Sequence, residues 1–490
     1  MCFRNSSIGD TYFMLNHGRW ILNNGLYPKE EMFTMHMGLS FTIQKWLSCL
    51  ILYGVYLIKG EIALKVFMGI CTIIFMVLLR KLLSILSKNN LFINLFTVAS
   101  SLIISKNIVA SPRIFTYIFL VIELICLEKY KQSKDNYKYL IPIPFLTCLC
   151  MNTHSTQVVI MFIFMLPYIF DISFIKFKNK KLNNIKDKLV FKENYKRRNI
   201  IIIFLISIAS LLINPYGFES IIYIINCLTI NGYNSLILEL QPAAFHDLII
   251  VSFIWIAPLL FYLIYKRKIR LIYIYFLIGT IFMYAMHVRN LSYLCIAGPM
   301  CSIYFLDNYF DKLDTKAFNI AGLFIMIFGS IIININSINT IKSDYEFWGN
   351  RIVSPLSAIV DDIDLSIKDY LHEKYPDEDI EDVVSRTKVY FYPSGGSYME
   401  FIGYKSFIDC RSEVFYKKIN KKEDIQLDYY NLLKGTMNYK DFFEKYPVDV
   451  IITNPKGIDA IDVFEDEILN DKNYRLIYSS SIHKVFVPLS

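Results

Sequence analysis

The chain has 490 residues, 54% of them hydrophobic, with a mean hydropathy of +0.39 and a net charge of +8. That apolar excess excludes an ordinary soluble protein of this length, and the long unbroken apolar runs exclude an outer-membrane barrel, whose strands alternate. The charge is divided: residues 1–341 carry 32 Lys/Arg against 16 Asp/Glu, and residues 342–490 carry 19 against 27. A basic, apolar body therefore precedes an acidic tail, and nothing resembles a nucleic-acid footprint.

In chain order, MCFRNSSIGD lacks the apolar core of a signal peptide. The following run, GDTYFMLNHGRWILNNGLYPKEEMFTMH, is polar, aromatic and amphipathic. Trp46 to Ile58 is too short to span a bilayer and reads as a helix in the interface, anchored by Trp46, Tyr53 and Tyr56. Ten stretches then qualify as spans, near 61–79, 91–105, 112–127, 139–151, 156–175, 199–213, 247–265, 270–285, 291–306 and 318–336. The stretch 139–151 is short and contains Pro142 and Pro144. From about Ser343 the pattern changes. KVYFY, SFIDC, VDVIITN, RLIYS and HKVFV read as strands, and SPLSAIVDDIDLSIKDYLHEKY and NYKDFFEKYP as helices, with Ser354 and Pro355 as a cap and first-turn pair. The predicted fold class is an α-helical polytopic membrane bundle of about ten spans with a small C-terminal soluble α/β domain. Its domains are an outer-face region over 1–60, a helical membrane domain over 61–342 and an extracytoplasmic domain over 343–490, large enough for its own core.

Loop charge orients this bundle. The connectors Arg80 to Lys88, Lys129 to Lys138, Lys176 to Arg198 and Lys266 to Arg270 are basic; the third holds ten Lys/Arg against two acids. Such short basic loops stay cytoplasmic. The connectors between them carry Asp10, Arg113, His154, Asn214, Glu239, Gln241, His287 and Arg289, which then share the outer face of the cell membrane. Asp10 can cap an interfacial helix or serve as a general base toward an acceptor hydroxyl. Arg113 and Arg289 suit a lipid phosphate, whose oxygens the guanidinium fork binds in bidentate fashion, or they anchor the bundle at lipid headgroups. His154 and His287 are proton carriers, ligands or plain hydrogen-bonding groups. Glu123 lies inside a span, where a carboxylate must face the interior. Gly395 and Gly396 form a turn or an anion cradle. Most of the ten cysteines lie in apolar runs and no CxxC pair occurs, so neither a disulfide framework nor a metal site is expected.

The ordered motifs resemble a bacterial branch of the GT-C glycosyltransferase superfamily related to the protein O-mannosyltransferase type. Asp10 is followed by Gly18, Ile21, Gly25 and Pro28, matching G-x-x-I-x-x-x-G-x-x-P, and then by Phe33 and Thr34. Trp46 and Leu47, Arg113 in SPRIFTY, Asn152 and His154, NPYG at 214–217, and Glu239 with Gln241 and Pro242 follow in order. Arg289 and Asn290, GGSY at 395–398, and FIDCR at 407–411 complete the series.

The resemblance implies an inverting transferase that takes a sugar from a polyprenyl-phosphate carrier at the outer face, with Asp10 as base and no nucleotide site. The acceptor is a glycan, lipid or protein of the cell envelope; no cofactor beyond the lipid-linked donor is expected. Three departures stand out. The branch has a span before its Asp, a His where this chain has Met14, and His-Glu where it has Gln44-Lys45. The alternative reading is a degenerate scaffold or a transporter of lipid-linked substrates, although no internal repeat of the transporter kind is visible.

Overall fold

The computed structural model describes residues 9–25, 27–105, 110–133, 135–171, 174–176, 189–190, 195–230, 240–265, 268–269, 271–310, 320–324, 327–328, 331, 355–454, 462–480 and 482–489. Helix α1 (Gly9–Asn24) lays Tyr12, Phe13, Met14, Leu15 and Ile21 inward. At Gly18 the backbone of α2 (Trp46–Leu86) comes so close that an added Cβ would sit 2.3 Å from the Cys49 carbonyl oxygen. Gly25 then turns the chain with φ +61°, its N–H donating to the Ile21 carbonyl at 2.8 Å. Helix α2 breaks at Lys59 and Gly60, whose φ of +59° suits glycine. The break separates a half packed on α1 from a half in the bundle.

The bundle continues through α3 (Asn90–Ser105), α4 (Arg113–Gln132), α5 (Pro142–His154), α6 (Val158–Ile169), α7 (Arg197–Ser210) and α8 (Phe218–Leu228). Three more helices cover Phe245–Tyr265, Leu271–Met286 and Leu291–Phe310. Nine of the ten stretches read from hydropathy are thus helical, and most of 318–336 lies outside the described residues.

The count of about ten spans is corrected. Among the described residues, two helical stretches are long and apolar enough to cross a membrane, Trp46–Leu86 and Tyr137–Ile169. Four shorter apolar helices cover Asn90–Ile104, Phe218–Leu228, Phe245–Phe261 and Leu271–Met286. The reason is length and charge. Helices α7 and α8 have 14 and 11 residues, only about 17–21 Å against the ~30 Å of a hydrocarbon core. Helix α4 is longer but carries Glu123, Glu128, Lys129 and Lys131. The outward faces are nonetheless apolar: Ile62, Val66, Ile70, Ile73 and Val77 form an exposed stripe on α2, and similar stripes run along α7 and Phe245–Tyr265. Continuous exposed apolar stripes suit hydrocarbon contact rather than water.

One end of the bundle joins the basic connectors. Strand β1 (Phe174–Lys176) pairs antiparallel with both β2 (Leu189–Val190) and β3 (Lys268–Ile269), hydrogen-bonding two connectors that loop charge assigns to the same side. Glu128, Lys131, Tyr168 and Tyr273 form a buried polar group near this end: Lys131 pairs with Glu128 and donates to Tyr273 Oη at 2.6 Å, and Tyr168 donates to Glu128 at 2.8 Å.

The tail forms five strands, β4 (Lys388–Tyr390), β5 (Lys405–Ser406), β6 (Val450–Thr453), β7 (Tyr474–Ser479) and β8 (Lys484–Pro488); four overlap the predicted runs, and β5 meets the predicted SFIDC only at Ser406. The mixed sheet has order β5-β4-β6-β8-β7, parallel from β5 to β6 and antiparallel thereafter. The predicted helices form at Pro355–Lys374 and Tyr439–Lys445; Ser354, the proposed cap, lies outside the described residues. Gly395 and Gly396 are neither turn nor cradle. They lie inside the helix Pro393–Phe401, where a Cβ on Gly396 would sit 1.9 Å from the Ile408 carbonyl oxygen.

The expectation of a tail core of its own is also corrected. One continuous cluster joins Tyr12, Phe13, Met14, Leu39, Phe41 and Leu52 to Val389, Phe391, Ile408, Phe415, Ile451 and Phe486. The N-terminal segment even extends the sheet edge. Thr34 bridges Ser406 in parallel, the Met35 N–H donates to the Ser406 carbonyl at 2.8 Å, and His36 Nε2 donates to the Phe407 carbonyl at 2.8 Å.

Candidate active site

Two groups of charged residues stand where the bundle, α1 and the α/β domain meet. The first surrounds Arg411, whose side chain is 3% exposed. Its Nε donates to Asp409 at 2.7 Å, its Nη2 to Glu31 at 2.9 Å and to Asp409, and its Nη1 to His17 Nε2 at 3.1 Å; Glu400 is 3.8 Å away. Glu31 also accepts from the N–H groups of Phe33 and Thr34 and from the Thr34 hydroxyl. Against the cost of burial, Arg411 and these donors hold Glu31 below the usual carboxylate range. Burial, reinforced by Asp409, pushes Glu400 well above it. Burial and then Arg411 lower His17 to about 3, so the ring is neutral, donating from Nδ1 to the Phe13 carbonyl at 2.6 Å and accepting at Nε2. The FIDCR run thus clamps the α/β domain onto α1 and the first loop.

The second group lies at the end of the bundle away from the basic connectors. His154, at the last turn of α5, pairs through Nδ1 with the Thr116 hydroxyl of α4 at 3.0 Å. Lys45, Arg113 and Arg289 all lie within electrostatic reach of it. They come from three separate places: the residue before α2, the first residue of α4, and the short turn Val288–Asn290. Tyr293, which Arg113 and Arg289 also reach, donates to Gln157 at 2.6 Å and meets Tyr117 edge-on. The Lys45 ammonium stands 5.2 Å from the centre of the Phe13 ring.

Asp10 lies in the first turn of α1, one helical turn before Phe13, and within electrostatic reach of Cys410. Its neighbour Thr11 donates to the Ala110 carbonyl at 3.0 Å, three residues before Arg113. The start of α1 is therefore stitched to the start of α4. As a residue inside the first turn, Asp10 is not the cap of α1 but still favours the positive end of the helix.

Of the other residues read from sequence, Gln241 and His287 join two connectors: the Val288 N–H donates to the Gln241 carbonyl at 3.0 Å, and His287 Nδ1 donates to the Leu240 carbonyl at 2.6 Å. Glu239 lies outside the described residues. Asn214 orders the turn before α8 and also stands on the wall of a groove of about 450 Å³. It donates to the Leu211 and Gly217 carbonyls and accepts from the Tyr216 N–H and the Ser220 hydroxyl. Asn152 lies on the same wall, beside Trp46, Leu149, Ile213 and Pro215. There it accepts from Trp46 Nε1 at 2.7 Å and donates to the Ile213 carbonyl at 2.8 Å.

Sequence reasoning passed over Lys45, Glu413 and His17. Gln44 and Lys45 were read only as a departure, yet Gln44 donates to Glu413 at 3.4 Å and Lys45 supplies the third cation. Burial pushes the Glu413 carboxyl above its usual range, with Lys45 pulling the other way. Met14, where the related branch has His, is fully buried in the apolar core. Among the described residues, no group of three or more His, Cys, Asp or Glu side chains gathers as metal ligands.

With this arrangement in view, the likeness to solved structures becomes informative. No family model matches the chain, and no curated protein matches it in sequence. The oligosaccharyltransferase of Archaeoglobus fulgidus in its apo form superposes with a TM-score of 0.56 at 11% identity, over 92% of this chain and 66% of that one. The two chains share a fold. The same archaeal enzyme, AglB, in complex with an inhibitory peptide and a dolichol-phosphate gives 0.53 at 11% identity, again over 92% and 66%. The form tethered to an acceptor peptide containing the NVT sequon gives 0.51 at 12%, over 92% and 65%. The chain spans just under two thirds of the length of these oligosaccharyltransferases, and at such identities the likeness concerns the fold alone.

Proposed function

We propose that the chain is a membrane-embedded GT-C-type transferase that moves a sugar from a polyprenyl-phosphate donor to an acceptor hydroxyl on the extracytoplasmic side. The observation that carries this reading is the convergence of Lys45, Arg113 and Arg289 on His154. Three cations from separate elements lie within electrostatic reach of one histidine at one end of an apolar bundle, and the positive field they make there suits an anionic group. A lipid phosphate meets both demands, with its charge at the cluster and its tail in the membrane. The dolichol-phosphate in the AglB complex is a lipid phosphate of this chemical kind. The apolar stripes support a multi-pass setting, and the basic connectors paired through β1 and β3 mark the opposite, cytoplasmic end.

In the proposed reaction Asp10 takes the proton of the acceptor hydroxyl as its oxygen attacks the anomeric carbon. The bond from that carbon to the donor phosphate breaks, and the electron pair leaves with the lipid phosphate. Lys45, Arg113 and Arg289 stabilise the charge that develops there, which in a water-poor site supplies much of the rate. The groove beside Trp46 and Asn152 opens next to Lys45 and His154 and suits the acceptor. Gln241 and His287 shape the connector that carries Arg289.

A second reading, a degenerate scaffold that binds lipid-linked sugar without transferring it, is favoured by one feature: apolar Met14 and cationic Lys45 occupy positions where the related branch has His and Glu. Asp10→Asn separates the two. The amide keeps the size and fold but cannot act as a base. In a transfer assay from a polyprenyl-phosphate sugar, the first reading expects wild-type turnover and its loss in Asp10→Asn with donor binding retained. Donor binding without turnover in the wild type favours the scaffold.

A further inference from the structure

A second lipid site lies elsewhere on the bundle. We propose that the cleft between α6 and the helix Leu271–Met286 holds an acyl chain of an anionic phospholipid, with its phosphate at Arg197. The cleft has a volume of about 560 Å³ and is walled by Phe164, Phe170, Tyr275, Gly279 and Met283, with Arg197 at one end. Its walls are mostly apolar: the Thr280 hydroxyl is spent on the Phe276 carbonyl at 2.7 Å, and the other polar groups are the Tyr275 phenol and Arg197. Phe170, Ile278 and Phe282 are exposed along its margins, so it opens sideways to the exterior of the bundle. Tyr275 to Met283 gives it a length of roughly 12 Å, enough for a good part of one extended chain.

The charge at one end selects the occupant. Arg197 begins α7 between Lys196 and Arg198, beside the connectors that join through β1 and β3. This is the end opposite His154, Arg113 and Arg289. A donor whose phosphate meets those three residues would have its charge at the wrong end of the cleft. A phospholipid of the other leaflet has its phosphate next to Arg197 and its chain pointing into the cleft, and an anionic headgroup gains from the surrounding basic residues. Gly279 keeps the wall low: a Cβ added there meets nothing within 4 Å, so the backbone tolerates a side chain that only the cleft would feel. The inference uses the apolar exterior and the charge at one end, and does not depend on the transfer reaction.

The test is the melting of the full-length protein in mild detergent as phosphatidylglycerol, phosphatidylcholine or a polyprenyl phosphate is added. Phosphatidylglycerol is expected to stabilise at concentrations about tenfold lower than phosphatidylcholine, as one charge-assisted contact implies. Arg197→Gln should erase that preference, and Arg197→Lys should keep part of it. Gly279→Leu should melt no lower than the wild type without lipid, yet lose the response to both phospholipids. Equal responses of the wild type to the two phospholipids, or a Gly279→Leu protein still stabilised by phosphatidylglycerol, would overturn the proposal. So would stabilisation by polyprenyl phosphate that Gly279→Leu abolishes and Arg113→Ala leaves intact, which would make the cleft the seat of the donor tail.

Discussion

The two charge groups at the junction are built from the same kinds of residue and do opposite things. Around Arg411 the guanidinium finds its partners within the protein: Asp409 and Glu31 meet it, Glu400 is driven toward its neutral form, and His17 stays neutral. Around His154 the cations gather in excess, and Glu413, which faces Lys45, is itself driven toward neutrality by burial. A buried charge is tolerated when partners replace its lost hydration. Where the protein supplies those partners, the result is a clamp. Where three cations lie within reach of one histidine, we read their positive field as the seat of an outside anion.

The largest effect should come from breaking the clamp. Arg411→Ala leaves Glu31 and Asp409 buried against each other without a counter-charge and should cost about 3–5 kcal/mol. Melting in detergent, read by fluorescence or by protease release of residues 355–489, should show the α/β domain parting from α1 at a markedly lower temperature. Removing one cation from the second group should do the reverse in kind. Lys45→Ala, Arg113→Ala and Arg289→Ala should each weaken binding of a polyprenyl phosphate by roughly tenfold to a hundredfold, about 1.5–3 kcal/mol, with melting temperatures held or raised because repulsion is relieved. A cation variant that unfolds would place that residue in the clamp's category.

The smallest effect is a pH dependence peculiar to the clamp. His17 titrates near its ordinary 6.5 in the unfolded chain and at about 3 when folded. The unfolded state therefore binds an extra proton between those values, and stability contributed by the neutral ring is full above pH 6.5 and falls as the pH drops through that window. The slope is at most ~1.4 kcal/mol per pH unit. His17→Gln should flatten this part of the acid melting profile. A profile unchanged by that substitution would mean that the ring is charged beside Arg411, contrary to its hydrogen bonds.

Local patterns were well read from the sequence and long-range pairings were not. The strands of the tail followed from β-branched and aromatic runs such as Val450 to Thr453, and the helices of the bundle from their apolar stretches. The gathering of Arg113, His154 and Arg289 at one end followed from loop charge, since alternating connectors must share a side. The lengths of the helices did not follow, because hydropathy runs on through turns such as Ser155–Gln157 and Leu211–Asn214 that the backbone uses to reverse. Nor did the clamp. Arg411 and His17 are 394 residues apart, and neither residue type in isolation announces a partner at that distance. Lys45 was visible only as a mismatch to a motif, and its position beside His154 turns that mismatch into the third cation of the site.

The central claim is that the cations around His154 await a lipid phosphate, and its most direct test is binding of a polyprenyl monophosphate to the purified protein and to a Lys45→Gln, Arg113→Gln, Arg289→Gln triple variant. Calorimetry in detergent should show saturable binding by the wild type and a loss of at least a hundredfold in the triple variant, with the melting temperature of the α/β domain unchanged. Equal binding by the two proteins, or none by the wild type, would contradict the account.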